Sequence, residues 1–413
     1  MSKNNIITAI DLGTSFVRVA VVQKRGEDEL PFVLGIGEEE SRGIRKGNIV
    51  DSEEVVSSVA SSLEKVERIT GMPIEHAFVS ISGVNVRSHS SKGVIAVSRA
   101  DGEIIDNDIE RVLEVAREIN LPPNREVLHI IPREYVVDNE RGIKDPRGMS
   151  GIRLEAEAII IECSSSLIRN LTKCIYRTGV DIDDLVLANL AVSEGVLSKR
   201  QKDLGVVEIN IGGGSTGITV FEEGSVLYAN VLPIGGENIT NDLAIGLRTN
   251  VDIAEKIKIE FGSCNPRDFD RKEEVDLSKI DKKEKNRVPR YYIAEIISAR
   301  VSEIFSLIDE ELRKIERSSK LPGGAVLTGG TVKLPGIVDL AKEELNLPAQ
   351  IGFVEGFKAA GDQLDNPCFA TLAGLIKWGM KKKVSSSGVI WNNFSNLGKT
   401  VSKIKHWFKE FIP

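Results

Sequence analysis

Apolar and polar positions repeat one design twice along this chain. Val206 to Phe221, VVEINIGGGSTGITVF, is an apolar β-run, a turn of three glycines followed by Ser215 and Thr216, and an alternating run returning from Ile218. The pattern predicts a hairpin with glycine at its tip. Ile7 to Val22, ITAIDLGTSFVRVAVV, has the same shape, with Asp11 ahead of a Gly13-Thr14-Ser15 turn. Placing Asp11 over Asn210 and Gly13 over Gly212 aligns strand, turn and strand about half a chain apart. Two such hairpins suggest two related lobes.

The rest of the pattern alternates strands with amphipathic helices. A strand near Phe32 to Ile36 precedes a helix from about Ser52 to Thr70, capped by Asp51 or Ser52 and stopped by Gly71 and Pro73, and Ala77 to Ile81 returns as a strand. Residues 84–162 form a unit of their own, with strands at Gly93 to Val97, Val127 to Ile131, Tyr135 to Val137 and Leu154 to Glu162, and a helix from Asp106 to Ile119. Helices over Leu167 to Thr178 and Asp183 to Leu197 lead into the second hairpin. Residues 265–290 are dense in charge and are expected to be a weakly ordered surface segment. From Tyr291 to Lys314 a long helix carries Ile293, Ile296, Ile297, Val301, Ile304, Ile308 and Leu312 on one face. Ala325 to Pro335, AVLTGGTVKLP, is a strand ending in Gly329 and Gly330, with a proline-started helix after it.

Past the globular part, Lys381 to Val389 reads as a polar linker. Beyond it Phe394, Leu397, Val401, Ile404, Phe408 and Phe411 fall three and four apart, making one apolar stripe. Trp391, Trp407 and Ile412 widen the stripe, and Lys399, Lys403, Lys405 and Lys409 flank it. Aromatics on one side and lysines on the other predict an interfacial membrane helix over 394–413, where the alternative is a helix docked on its own body.

Glycine has no Cβ and accepts positive φ, so successive backbone N–H groups at such a tip can converge on a phosphate. A lone glycine turn proves little, but its second copy points to a polyphosphate held between two lobes. Two familiar motifs match by accident. Gly212, Gly214 and Gly217 satisfy the dinucleotide fingerprint, yet a strand follows where a helix is required. Gly213 to Gly217 fits a nucleophile elbow, yet the histidine that follows Ser215 is His406 in the tail.

A chain of 413 residues can bury large cores, and a net charge of −7 argues against nucleic acid as a partner. Cysteines 163, 174, 264 and 368 have neither zinc-site nor disulfide-framework spacing, which fits a reducing cytoplasm. No secretory signal and no bilayer-spanning stretch is evident.

The two hairpins and the Gly329-Gly330 segment resemble the phosphate 1, phosphate 2 and adenosine motifs of the actin, heat-shock chaperone and sugar kinase superfamily. Within it, HIIPREYVVDNERGIKDPRGMSGIRLEAEAIII is similar to the inserted subdomain of the FtsA family, actin-like membrane adaptors of the bacterial division ring, and the similarity covers essentially the whole chain. The resemblance implies an α/β, two-lobed actin-like fold. Subdomain 1A would span 1–83 and 163–197, subdomain 1C 84–162, subdomain 2A 198–236 and 303–378, and subdomain 2B 237–302, before a linker at 379–393. It also implies that ATP contacts Gly13, Thr14, Ser15, Gly212, Gly213, Gly214, Ser215, Thr216, Gly235, Gly236, Glu255, Lys258, Gly329 and Gly330. Taken alone, Glu255 and Lys258 would be a solvated i, i+3 pair.

Further implications are filaments of the chain with itself, anionic lipid bound through the tail, and later division proteins bound through 84–162. The C-terminal peptide of FtsZ would dock on 237–302, with Arg300, then Arg287 and Arg290, as contacts; the plain alternative is three solvated arginines. Mg²⁺ suits one carboxylate plus phosphates and water, which makes Asp11 its natural holder. Where the superfamily has a second aspartate this chain has Asn210, and Ala188-Asn189 stands where a glutamate is usual. Hydrolysis is therefore expected to be slow or negligible. A pilus-assembly relative and a phosphotransferase of the sugar kinase class remain as alternatives, the latter lacking a carboxylate base at both positions.

Overall fold

The computed structural model describes residues 6–24, 26, 29–281, 287–354, 356–357 and 366–385. The chain begins with β1 (Ile6–Leu12), β2 (Phe16–Gln23), β3 (Phe32–Glu40), the short β4 (Ile44–Arg45) and β5 (Asn48–Ile49), α1 (Ser52–Thr70) and β6 (His76–Ile81). There follow β7 (Arg87–Ala96), α2 (Asp106–Arg117), β8 (Arg125–Val137), β9 (Glu140–Ile143) and β10 (Arg153–Ser164). Next come α3 (Ser165–Arg177), β11 (Asp181–Leu187), α4 (Ala188–Val196) and α5 (Lys199–Leu204). The second half holds β12 (Val206–Ile211), β13 (Thr216–Glu222), β14 (Ser225–Leu232), α6 (Gly236–Leu247), α7 (Val251–Phe261), β15 (Glu274–Asp276), β16 (Arg287–Pro289) and α8 (Arg290–Lys314). It closes with β17 (Ala325–Thr328), α9 (Ile337–Leu345), β18 (Ala349–Ile351) and α10 (Ala370–Ser385).

The duplication extends well past the hairpins. Two five-stranded sheets run β3-β2-β1-β6-β11 and β14-β13-β12-β17-β18. In each, three strands pair antiparallel and two more join in parallel. Asp11 pairs with Arg18 across the first hairpin, and Asn210 pairs with Gly217 across the second, the register that the sequence alignment requires.

One face of the first sheet packs Ile10, Val17 and Val19 against Val55, Val59 and Leu63 of α1 and Leu167 and Leu171 of α3. Its other face sets Ile7, Ala9 and Phe78 against α4 and α10. In the second sheet Val207, Ile209 and Ile218 meet α6, α8 and α9, where the predicted stripe of α8 is buried except for the half-buried Ile296. Each such aliphatic side chain contributes about 1.5–3 kcal/mol when fully buried. The helices α4 and α10 cross closely because Gly195 and Gly374 face each other's backbone: a Cβ on Gly195 would lie 3.1 Å from Ala370 O, and one on Gly374 would strike Ala191 O. The four-stranded antiparallel sheet β7-β10-β8-β9 is a third sheet, with α2 burying Ile109 and Val112 on it and with Ala229 N of β14 donating to Ser88 Oγ of β7 at 2.9 Å.

Several expectations need correction. Asp183 to Leu187 opens not as helix but as β11, paired in parallel with β6, with Leu185, Val186 and Leu187 all buried. A short apolar run covered on both faces carries no helical or strand period to choose by. The two expected strands around Pro132 are a single strand, β8, whose pairing to β10 shifts there, so the missing N–H falls at a bulge. Residues 265–281 are not loose: β15 pairs with β16, and Val275, Leu277 and Val288 are buried beneath their charged neighbours. A 3-10 turn over Gly330–Lys333 follows β17, and α9 starts at Ile337, two residues beyond Pro335. The polar stretch from Lys381 begins as helix: α10 continues to Ser385, with Lys381 paired to Glu194 and Lys382 to Asp184 at 3.0 Å.

Candidate functional site

The tips of the two hairpins close with the same bond. Gly13 N donates to Phe16 O at 3.1 Å, and Gly212 N donates to Ser215 O at 3.0 Å. The tips meet face to face: a Cβ on Gly213 would collide with Ser15 Oγ, and one on Gly214 would lie 2.8 Å from Thr14 Oγ1. Glycine is therefore required here by close approach between lobes rather than by a positive φ.

Behind the second tip, Gly235 and the start of α6 are docked on its carbonyls. Gly236 N donates to Gly212 O at 2.9 Å and Glu237 N to Gly213 O at 2.8 Å, while Thr216 Oγ1 donates to Ile234 O at 2.8 Å. A Cβ on Gly235 would sit 2.6 Å from Gly213 O, so the helix start can approach only as glycine. Thr331, next to Gly330, donates to Gly212 O at 3.2 Å. The structure thus brings the first tip, the second tip, Gly235-Gly236 and Gly329-Gly330 together.

Glu255 and Lys258 are not a free surface pair. Lys258 Nζ donates to Glu255 Oε2 at 2.6 Å, Thr240 Oγ1 at 2.8 Å and Gly236 O at 3.2 Å, and Thr240 Oγ1 also meets Glu255. This network ties α7 to the glycines that start α6.

Asp11, at the end of β1, is buried. Burial raises its carboxyl above the usual range, opposed by nearby Arg18 and by the hydrogen bond from Ser80. Across the sheet repeat, Asn210 Oδ1 lies beneath Gly329, where a Cβ would approach it to 2.6 Å. Asn189, buried at the head of α4, presses on Gly217 and donates to Asn230 O at 3.1 Å. Among the described residues no three His, Cys, Asp or Glu side chains converge as a metal cage.

Sequence reading missed Ser80, Thr240, Glu237 and Thr331. Thr331 adjoins the glycine pair and was within reach of motif reading. Ser80 was not, since it meets Asp11 only once β6 lies parallel beside β1.

A family model described as Cell division protein FtsA matches residues 207–374, and one described as SHS2 domain inserted in FTSA matches residues 83–162. The Cell division protein FtsA of Pseudomonas aeruginosa is 35% identical over 98% of both chains, and that of Borreliella burgdorferi is 38% identical over 98% of both. The Bacillus subtilis relative is 38% identical over 84% of this chain and 78% of its own. The chain belongs to the FtsA cell-division family. FtsA membership sets it with division proteins rather than with pilus-assembly proteins or sugar kinases. The fold is the actin-like one. It is shared with a chain of the PilM-PilN type IV pilus biogenesis complex, at a TM-score of 0.65 and 14% identity over 90% of this chain and 98% of that one. MreB5 of Spiroplasma citri bound to ADP aligns at 0.57 and 12% identity, over 93% and 99%.

Of the arginines expected from the FtsA resemblance, Arg300 grips Asp242 of α6 with Nε at 2.5 Å and Nη2 at 2.8 Å, and also meets Glu303. Arg290 pairs with Glu273 at 2.9 Å over the Phe269 ring, and Arg287 is exposed, 3.9 Å from Asp276. Trp391, Phe394, Leu397, Lys399, Val401, Lys403, Ile404, Lys405, Trp407, Phe408, Lys409 and Phe411 lie outside the described residues. Among the described residues no helix is long and apolar enough to cross a membrane.

Proposed function

We propose that the cleft binds ATP with Mg²⁺, that subunits assemble into filaments, and that the chain tethers FtsZ to the cytoplasmic face of the cell membrane at the division septum. The observation that carries the nucleotide reading is the pair of matching tips, in which the Thr14 and Ser15 side chains of the first lie directly against the Cβ-less Gly213 and Gly214 of the second, backed by the Gly235-Gly236 helix start. The residues present fit such a ligand. Gly13 to Ser15 and Gly212 to Thr216 would take the phosphates, Gly329 and Gly330 would lie along the base, and Glu255 and Lys258 would reach the ribose and adenine. Asp11, fixed by Ser80, would hold Mg²⁺ or its water shell, which neutralises phosphate charge. The ADP bound to MreB5, a protein of the same fold, agrees with this reading.

Under this proposal residues 237–302 receive the FtsZ peptide, residues 84–162 meet later division proteins, and residues 394–413, joined to α10 by residues 386–393, lie in the membrane interface. On this reading 1–83 with 163–197 would be subdomain 1A and 198–236 with 303–378 subdomain 2A, each built on one of the matching sheets, with α10 from Ala370 crossing back to pack on the first.

Titration of the purified protein with ATP and Mg²⁺ tests the central claim. Wild type should bind, and Gly213→Val, whose side chain would fill the space between the tips, should not. A well-folded Gly213→Val protein with unchanged affinity would sink the assignment.

A further inference from the structure

The two-residue turn between β4 and β5 forms a third wall of the cleft. Lys46 and Gly47 both have positive φ, at 50° and 74°, as a tight hairpin turn demands. Such a turn pairs its flanking residues, here Arg45 with Asn48, so the N–H of its first central residue takes no part in the ladder. That N–H belongs to Lys46, and it lies against the second tip: a Cβ on Gly214 would come within 3.0 Å of it. From the other side Gly47 N approaches Thr14 Oγ1 of the first tip at 3.4 Å. The turn is fixed from behind, since a Cβ on Gly47 would lie 2.8 Å from both Ser82 O and Gly83 Cα.

The order of contacts along the second tip gives the cleft a direction. Gly212 meets Thr331 and Gly236, beside the Gly329-Gly330 segment; Gly213 meets Ser15 and Glu237; Gly214 meets Thr14 and Lys46. A polyphosphate starting from the Gly329-Gly330 end reaches the turn last. Two exposed cations, Arg45 and Lys46, stand there. The carboxyl they act on is Glu237 of the opposite lobe, which burial raises and which Lys258, Arg45 and Lys46 pull down, with Glu255 opposing them.

We propose that the Arg45–Gly47 turn recognises the terminal phosphate of a nucleoside triphosphate, through the Lys46 side chain and N–H, and so makes the cleft favour tri- over diphosphate. This rests on the nucleotide reading of the cleft. Arg45 adds charge to the same end, and the phosphate displaces Glu237 as their counter-charge.

Full-length wild type, Lys46→Asn and Arg45→Gln are titrated with ATP and with ADP, each with Mg²⁺. Asparagine accepts the left-handed backbone at position 46, so the turn survives the loss of charge. Lys46→Asn should weaken ATP about tenfold, the loss of one charge-assisted contact, and leave ADP unchanged within error. Arg45→Gln should shift the same ratio in the same direction. An equal loss for both nucleotides, or ATP affinity unchanged in both variants, overturns the proposal. A wild type that binds neither nucleotide removes the reading beneath it, an outcome distinct from binding both without discrimination.

Discussion

Ser80 holds Asp11 from the neighbouring strand. Its Oγ donates to Asp11 Oδ1 at 2.8 Å and accepts from Leu12 N at 2.9 Å, so this carboxyl group, at the end of β1, is held by a residue 69 positions away. No comparable charge answers it across the repeat, where Asn210 and Asn189 stand. ATP turnover is therefore expected barely above background. Asn210→Asp should raise the rate if the remaining groups suffice, and phosphate release measured for both proteins decides the matter. Brisk turnover by wild type would show that the missing carboxylate had been misread.

Glu208 on β12 is fully buried, accepting from Thr328 Oγ1 at 3.0 Å. Its other oxygen, and Thr219 Oγ1 on the residue paired with it, are buried without a partner among the described residues. Burial raises its pKa well above the ordinary 4.5, so the folded state retains a proton that the unfolded state releases. The sign follows from linkage: this group costs stability as pH rises above 4.5, and the cost stops growing once Glu208 ionises in the fold. Glu208→Gln should therefore gain stability over wild type with rising pH, by at most about 1.4 kcal/mol per pH unit. Urea unfolding at acid and neutral pH reads this directly, and a pH-independent difference would refute it.

Arg300 staples α8 to α6 through Asp242, and its pKa is raised chiefly by that hydrogen bond. A carboxylate of the FtsZ peptide would have to compete with Asp242 for it. Arg300→Gln should weaken peptide binding and lower stability by about 1 kcal/mol or less, the scale of a partly exposed pair. Asp242→Asn should loosen the guanidinium, leaving Glu303 as its charged partner, and strengthen binding. Peptide affinity that is the same in both variants and wild type would leave Arg300 as a helix staple only.

The tail is expected to bind anionic vesicles weakly as a single helix, helped by about 1 kcal/mol per lysine near the surface. Filaments would place many tails on one bilayer and raise avidity without a new contact. Sedimentation with liposomes should show release by Trp407→Glu or Phe408→Glu, and partial weakening by salt. Vesicle binding that survives deletion of 391–413 would reassign the tail to packing on the body.

The duplicated hairpins, the long α8 stripe and the ends of α1 were legible in the sequence because each rests on local rules. Alternation and helical period mark buried faces, and an aspartate and a glycine at the right places stop a helix, as Asp51 does by accepting from Glu53 N and Glu54 N and as Gly71 does at a φ of 68°. The difference between Asp11 and Asn210 is legible from the two aligned hairpins, while the resemblance implies that an aspartate is usual at both places. Only the tertiary structure decided the rest. Asp181 to Leu187 became a strand because β6 offered it a parallel edge and helices covered both faces, a choice with no local signature. Ser80 came to Asp11, Thr240 to Lys258 and the Lys46 turn to Gly214 by the meeting of segments distant in the chain. Periodicity reports which side of an element is buried; it carries no information on which polar group waits across the gap, and that pairing is set by the packing of whole layers.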